Sequence, residues 1–310
     1  MSTLKKMVDS FGRSPEENRD RQELKDRANA EAKEHWENPT WRREFAAALT
    51  ESILLGFEYD TLIDRMVDTE RLGFDDRSLV RETNGLKAYY MARGGYIEAS
   101  QLSTDITELP RDMIGVHVSE FEDKFLTNFA DSAQALRDLS IRRMDAEVNR
   151  RVVSVLNAAI PSGAYYSSAA GITEATLKGF ISAVRDETNG SDVTIFGRST
   201  MVDQLLDFDT FNDEIRGEIN DKGVLGKYRG ATVVTLTNYK DEDGNSYIPA
   251  NEMWVVAKDF GKFAFYGGLK SKEFTEQDNW YWHYLARRDT GMLVHHPERA
   301  RRIVDTSITA

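Results

Sequence analysis

No proline or glycine lies between Val118 and Ile160, and the whole stretch reads as helix. Ser119 and Glu122 have the Ser-x-x-Glu spacing of a capping box. Apolar residues then recur at helical intervals through Phe121, Phe125, Leu126, Phe129, Ala133, Leu136, Ile141, Met144, Val148, Val152, Val155 and Leu156. Charged residues, among them Asp123, Lys124, Asp131, Arg137, Arg143, Asp145 and Arg150, fill the other face, and Pro161 with Gly163 stops the run. At 1.5 Å per residue the predicted rod is roughly 60 Å long, more than a small domain needs. The heptad is too loose for a coiled coil. A strut in an extended, plate-like subunit fits best.

The segments before the rod differ in character. Residues 1–37 mix charges of both signs, and Met7, Val8, Phe11 and Leu24 are too few to build a core. This predicts an arm, disordered or ordered against partner subunits. After Asn38-Pro39-Thr40, Trp41, Phe45, Leu49 and Ile53 recur at i, i+4. They predict an amphipathic helix ending at Gly56, with a stripe that suits either a partner or the chain's own domain. From Phe57 to Pro110 the texture is that of strands. Ser78–Thr83 runs into Asn84-Gly85, a strong hairpin signal, and Leu86–Met91 continues with Lys87, Tyr89 and Tyr90. Gly94-Gly95 offers a second reversal. So little apolar surface cannot hold a two-stranded ribbon alone, which predicts a projecting hairpin supported by a neighbouring subunit. The candidate subunit-contact residues are therefore Asn84, Gly85, Leu86, Lys87, Tyr89 and Tyr90, with Trp41 and Phe45 on the preceding helix.

Beyond Pro161, residues 166–261 read as a small sheet covered by helices. Thr173 caps a helix stapled by Ile172 and Leu177, whose stripe continues through Phe180, Ile181 and Val184 to Gly190. Val193–Phe196, Val233–Leu236 and Met253–Ala257 are strands, and Ser199–Leu206 is a short helix with Ser199 as N-cap. The last part is strand-rich. Lys262–Tyr266, Leu269–Phe274, Asn279–Ala286, Met292–His295 and Arg302–Val304 return to cover the long helix, with Trp280, Trp282 and Tyr284 on one face.

Chemistry is sparse. The sequence has no cysteine, which removes disulfides and thiolates. GxSxG, Walker A, GxGxxG and HExxH are absent, so no catalytic residue is assigned and no cofactor is expected. Adjacent His295 and His296 point to opposite faces of a strand and are poorly placed to chelate one ion. Arg287-Arg288 and Arg299 to Arg302 have acidic neighbours, which favours salt links over phosphate contacts. One loop offers a candidate calcium set, with Asp241, Asp243, Asn245 and Glu252 at positions 1, 3, 5 and 12. Ser246 stands where such a loop wants glycine, and strands flank it, so an acidic hairpin turn is the simpler reading. No apolar run approaches a membrane span and no secretory signal is present, which predicts a soluble product assembled in the cytoplasm. The net charge of −12 argues against a strong direct grip on nucleic acid.

The order of parts carries a resemblance. A charged arm, a projecting hairpin, a long helix, an inserted α/β domain and a returning sheet together resemble the major capsid proteins of tailed bacteriophages, the Hong Kong ninety-seven-type capsid fold. Locally, Gly223 to Val234 looks like the family's stretch before an axial-domain strand. Tyr247 to Val256 and Phe260-Gly261-Lys262-Phe263 look like its return towards the peripheral domain. The resemblance implies an α+β fold with an N-terminal arm and helix (1–56), an extended β-hairpin loop (57–110), a peripheral domain with the spine helix (111–165 and 262–303), an inserted axial domain (166–261) and a tail (304–310). It implies a structural, non-enzymatic protein of the virion. Pentamers and hexamers would form an icosahedral head around packaged double-stranded DNA, touching it weakly and without sequence preference. Scaffolding, portal and decoration proteins would be partners, and a membrane would not. Two alternatives remain: a cellular compartment shell of the encapsulin type, or a calcium-dependent or carbohydrate-active enzyme.

Overall fold

The structure is a computed structural model that describes residues 18–59, 63–84, 103–188, 192–208, 226–236, 240, 246–276 and 279–308. Helix α1 spans Asn18–His35 and α2 spans Pro39–Tyr59. The start of α2 is local chemistry: Asn38 Oδ1 accepts from Thr40 N at 2.9 Å, and Pro39 fits the first turn. Its stripe of Trp41, Phe45, Leu49 and Ile53 is buried, as is Phe57. Gly56 does not end the helix. A Cβ there would meet Ile141 Cδ1 at 2.4 Å, so the glycine permits close approach to the long helix instead.

Residues 18–36 correct the expectation of an arm reaching residue 37. They form α1 and a turn, and bury Ala28, Ala32 and Trp36 in the main core. Small alanines let the two helices approach closely. Asn29 Oδ1 accepts from Ala130 N at 2.9 Å, and Lys25 pairs with Asp131. The expected arm's first 17 residues lie outside the described residues.

A short helix α3, Ile63–Met66, leads to β1, Asp68–Leu72; β2 (Leu79–Asn84) and β3 (Ser103–Glu108) follow. The long helix is shorter than its apolar pattern predicts. Strand β4 occupies Asp112–Phe121, α4 covers Glu122–Thr127, Asn128 breaks the helix at φ −138° and ψ 59°, and α5 runs Phe129–Ala159. The capping-box reading of Ser119 is therefore wrong, because Ser119 pairs with His283 in a β-ladder. Glu122 accepts from Thr275 Oγ1 at 3.0 Å and lies 3.7 Å from Arg42. Helix α5 still spans about 46 Å, and Phe129, Ala133, Leu136, Met144, Val148, Val152 and Leu156 are buried along it.

Two sheets meet this spine. The remaining elements are β5 (Tyr166–Ala169), α6 (Glu174–Glu187), β6 (Val193–Arg198), α7 (Ser199–Val202), β7 (Lys227–Tyr228), β8 (Ala231–Leu236), β9 (Glu252–Ala257), β10 (Gly261–Glu276), β11 (Tyr281–Val294) and β12 (Ala300–Asp305). Among the described residues one sheet has the order β1-β10-β11-β4 and the other β5-β12-β9-β6-β8-β7. In the second sheet alternate residues serve two cores. Phe196, Trp254 and Val256 join the core of the spine, and Val193, Ile195, Met253 and Val255 join Leu177, Ile181 and Val184 of α6. Thr173 caps α6 as expected, accepting from Thr176 N at 3.2 Å. Ser199 is the first helical residue of α7 rather than its cap, which is Arg198. Arg229 and Gly230, at φ 48° and 80°, make the tight turn between β7 and β8.

Strand β12 corrects a boundary. Arg302–Val304 were expected beside the spine in the peripheral part, yet they pair with β9 and β5 in the six-stranded sheet.

Candidate subunit-contact surfaces

Among the described residues no group of three or more His, Asp or Glu side chains is placed to hold a metal ion. Among them, too, no helix is long and apolar enough to cross a membrane. Two kinds of feature remain: joints that make the subunit rigid, and apolar surface that the chain leaves uncovered.

The main joint ties the end of α5 to the six-stranded sheet. Arg302 Nη2 donates to Glu252 Oε1 at 2.6 Å, and Asn157 Nδ2 donates to Glu252 Oε2 at 2.9 Å. Trp254 Nε1 donates to Asn157 Oδ1 at 3.1 Å. The ion pair is nearly excluded from water, so each charge depends on its partner. A second joint is Asp305, which accepts from Gly171 N, Gln204 Nε2, Ser307 N and Ser307 Oγ. Burial pushes its carboxyl up, but the hydrogen bonds from Ser307, Gly171 and Gln204 outweigh that and hold the pKa at about 2. Among the C-terminal arginines, Arg299 pairs with Asp259 at 2.6 Å and Arg302 with Glu252, whereas Arg301 donates to the carbonyls of Glu298 and Ala300 and Arg288 to that of Gly267.

Among the described residues Leu55, Phe74, Met113 and Leu139 are exposed, and two further groups of uncovered apolar side chains lie at the strand ribbon and at one end of a sheet. The β2–β3 ribbon exposes Leu79 and Ile106, the latter by 57%, and buries Val80 beside Leu109, Ala264 and Tyr266. The far end of the four-stranded sheet exposes Phe121, Phe274, Trp280 and Tyr281. Trp280 is 66% exposed because φ of 54° lifts it out of the strand alternation that buries Trp282 and Tyr284.

The predicted contact residues fare differently. Asn84 is not a turn residue: it ends β2 opposite Ser103, and Thr83 faces Thr104, so the hairpin does not close at Asn84-Gly85. Its strand partner comes from far along the chain, which a local turn signal cannot reveal. Gly85, Leu86, Lys87, Tyr89 and Tyr90 lie outside the described residues. Trp41 and Phe45 are corrected to core residues. Phe45 is wholly buried, its ring centroid 4.8 Å from Phe129 and 6.0 Å from Trp282. In the calcium candidate, both oxygens of Glu252 are engaged by Arg302 and Asn157. Asp241, Asp243 and Asn245 lie outside the described residues, and Lys240 and Ser246 form an isolated antiparallel bridge.

A spine helix packs against two sheets, and a two-stranded ribbon lies beside β10. Comparison with known proteins gives this architecture a family. The family model described as "SPbeta prophage-derived putative capsid protein YonB" matches residues 5–280, and the chain belongs to that family. The fold is similar to the mature capsid of bacteriophage PhiM1, with TM-score 0.54 and 11% identity over 81% of this chain and 88% of that chain. It is also similar to a chain of Mycobacterium phage Adephagia, with TM-score 0.60 and 8% identity over 78% and 89%. For a chain of Microbacterium phage Oxtober96 the values are 0.57 and 11% over 79% and 90%. No curated protein sequence matches. The chain is a phage-type capsid protein, a structural component of the virion shell.

Proposed function

We propose that copies of this chain assemble as pentamers and hexamers into an icosahedral head around packaged double-stranded DNA, without catalysing a reaction. The observation that carries this reading is the β2–β3 ribbon, which exposes Leu79 and Ile106 and so has more apolar surface than the chain covers. In the assembled head a neighbouring subunit supplies the cover. On this reading the extended loop lies within 57–110 apart from β1, which belongs to the four-stranded sheet; that sheet with α5 is the peripheral domain, and 166–261 with β12 is the axial domain. Scaffolding, portal and decoration proteins complete the assembly, and the net charge of −12 keeps contact with the DNA weak.

The test is a Leu79→Ser/Ile106→Ser double variant. It should melt within a few degrees of the parent and fail to close shells in electron micrographs. Normal shells would remove the ribbon from the interface, and an unfolded variant would place it in the core. DNA rather than protein cargo inside the parent shells separates a phage head from a cellular compartment.

A further inference from the structure

On the outer face of the four-stranded sheet, beside the exposed aromatic residues, His117 Nε2 stands 3.2 Å from His283 Nδ1. We propose that these two imidazoles form a surface binding site for a divalent transition ion of the zinc type. Zinc holds imidazole nitrogen at about 2.0–2.1 Å, and two such ligands at tetrahedral angles are roughly 3.3 Å apart. The spacing already present therefore suits one ion with almost no movement.

Three further features favour an ion. The ligands are held by a rigid scaffold: His117 on β4 and His283 on β11 are diagonal neighbours across paired strands. The His283 ring stacks on Phe274, with centroids 4.6 Å apart and planes 9° apart, which fixes its orientation. The second nitrogen of His283, Nε2, is buried without a hydrogen bond and lies 3.7 Å from Glu276 Oε2. At that distance the Glu276 carboxylate makes no hydrogen bond to Nε2, and closing by under about 1 Å would give the carboxylate contact that orients a ligating histidine and raises its basicity. His117 is exposed, so water can fill the other coordination positions. A neutral pair joined by one N–H···N bond fits the same 3.2 Å, and the two states differ in whether an ion displaces that proton.

The experiment uses the full chain, stripped with chelator, and Zn²⁺ or Cu²⁺ alone as the probe. Calorimetry should give one Zn²⁺ per chain at micromolar to submillimolar concentration, and the Cu²⁺ electron paramagnetic resonance spectrum should show coupling to two nitrogens. Glu276→Gln should weaken binding by about tenfold or more. His117→Gln, an exposed change that leaves the fold intact by circular dichroism, should reduce the coupling to one nitrogen and abolish the stoichiometric Zn²⁺ heat. His295→Gln/His296→Gln should leave both signals unchanged. No heat up to about 1 mM Zn²⁺, or unchanged binding in His117→Gln, would show that the pair is only a hydrogen bond.

Discussion

Two antiparallel strand pairs in this molecule share the same backbone pairing and have opposite surroundings. β10 and β11 are long and carry Trp282, Tyr284 and Ala286 on a face wholly closed by α2, α4 and α5. β2 and β3 are short, rich in Ser, Thr, Asp and Glu, and leave Ile106 in solvent. Strand pairing is satisfied in both. What differs is cover, and cover contributes most of a sheet's stability. The first pair holds the subunit together, and the second leaves Leu79 and Ile106 exposed to water.

Breaking the comparison at its stronger end should have the largest effect. Trp282→Ala removes a side chain packed against Trp36, Phe45 and Phe125 and should cost about 3–5 kcal/mol, measured by denaturant unfolding. A loss under about 1 kcal/mol would mean that the sheet is not held by its cover. Glu252→Ala strands Arg302 in a buried site between the spine and the six-stranded sheet. About 3 kcal/mol or more should be lost, and Arg302→Ala/Glu252→Ala together should cost less than the sum of the singles.

A smaller effect should depend on pH. Asp305 has a folded pKa of about 2, below the unfolded carboxyl near 3.9, so its ionised form favours the folded state. That contribution is present above about pH 4 and is lost as pH falls towards 2. Asp305→Asn should therefore be less stable than the parent at pH 6, by about 1.5–3 kcal/mol, and the gap in melting temperature should close by pH 2–3. A gap that stays constant with pH would assign the effect to packing. The smallest change belongs to the ribbon. Ile106→Ser alone should alter subunit stability by less than about 0.5 kcal/mol, because the side chain is mostly in water. A larger loss would mean that the ribbon resembles the covered pair after all.

How much of this was legible in the sequence follows from the range of the interactions involved. The α2 stripe, the Thr173 cap and staple, and the buried strands β6 and β9 are written in residues a few positions apart, and periodicity reads them directly. The His117–His283 pair and the Glu252–Arg302 joint were not legible, since their members are separated by long stretches of sequence and carry no shared motif.

Tertiary structure alone decided the rest. Ser119 has a cap signature, yet the ladder with β11 extends the strand to Phe121 before helix begins, since a row of cross-strand bonds outweighs one cap. The charged residues 18–36 read as an arm, yet Ala28, Ala32 and Trp36 suffice for a helix that has the spine to lie on. Asn84-Gly85 reads as a turn, yet Asn84 finds its partner at Ser103. β12 joined the six-stranded sheet, where Arg302 meets Glu252. In each case a local preference worth about 1 kcal/mol met a non-local contact worth more, and only the folded chain brings that contact into being.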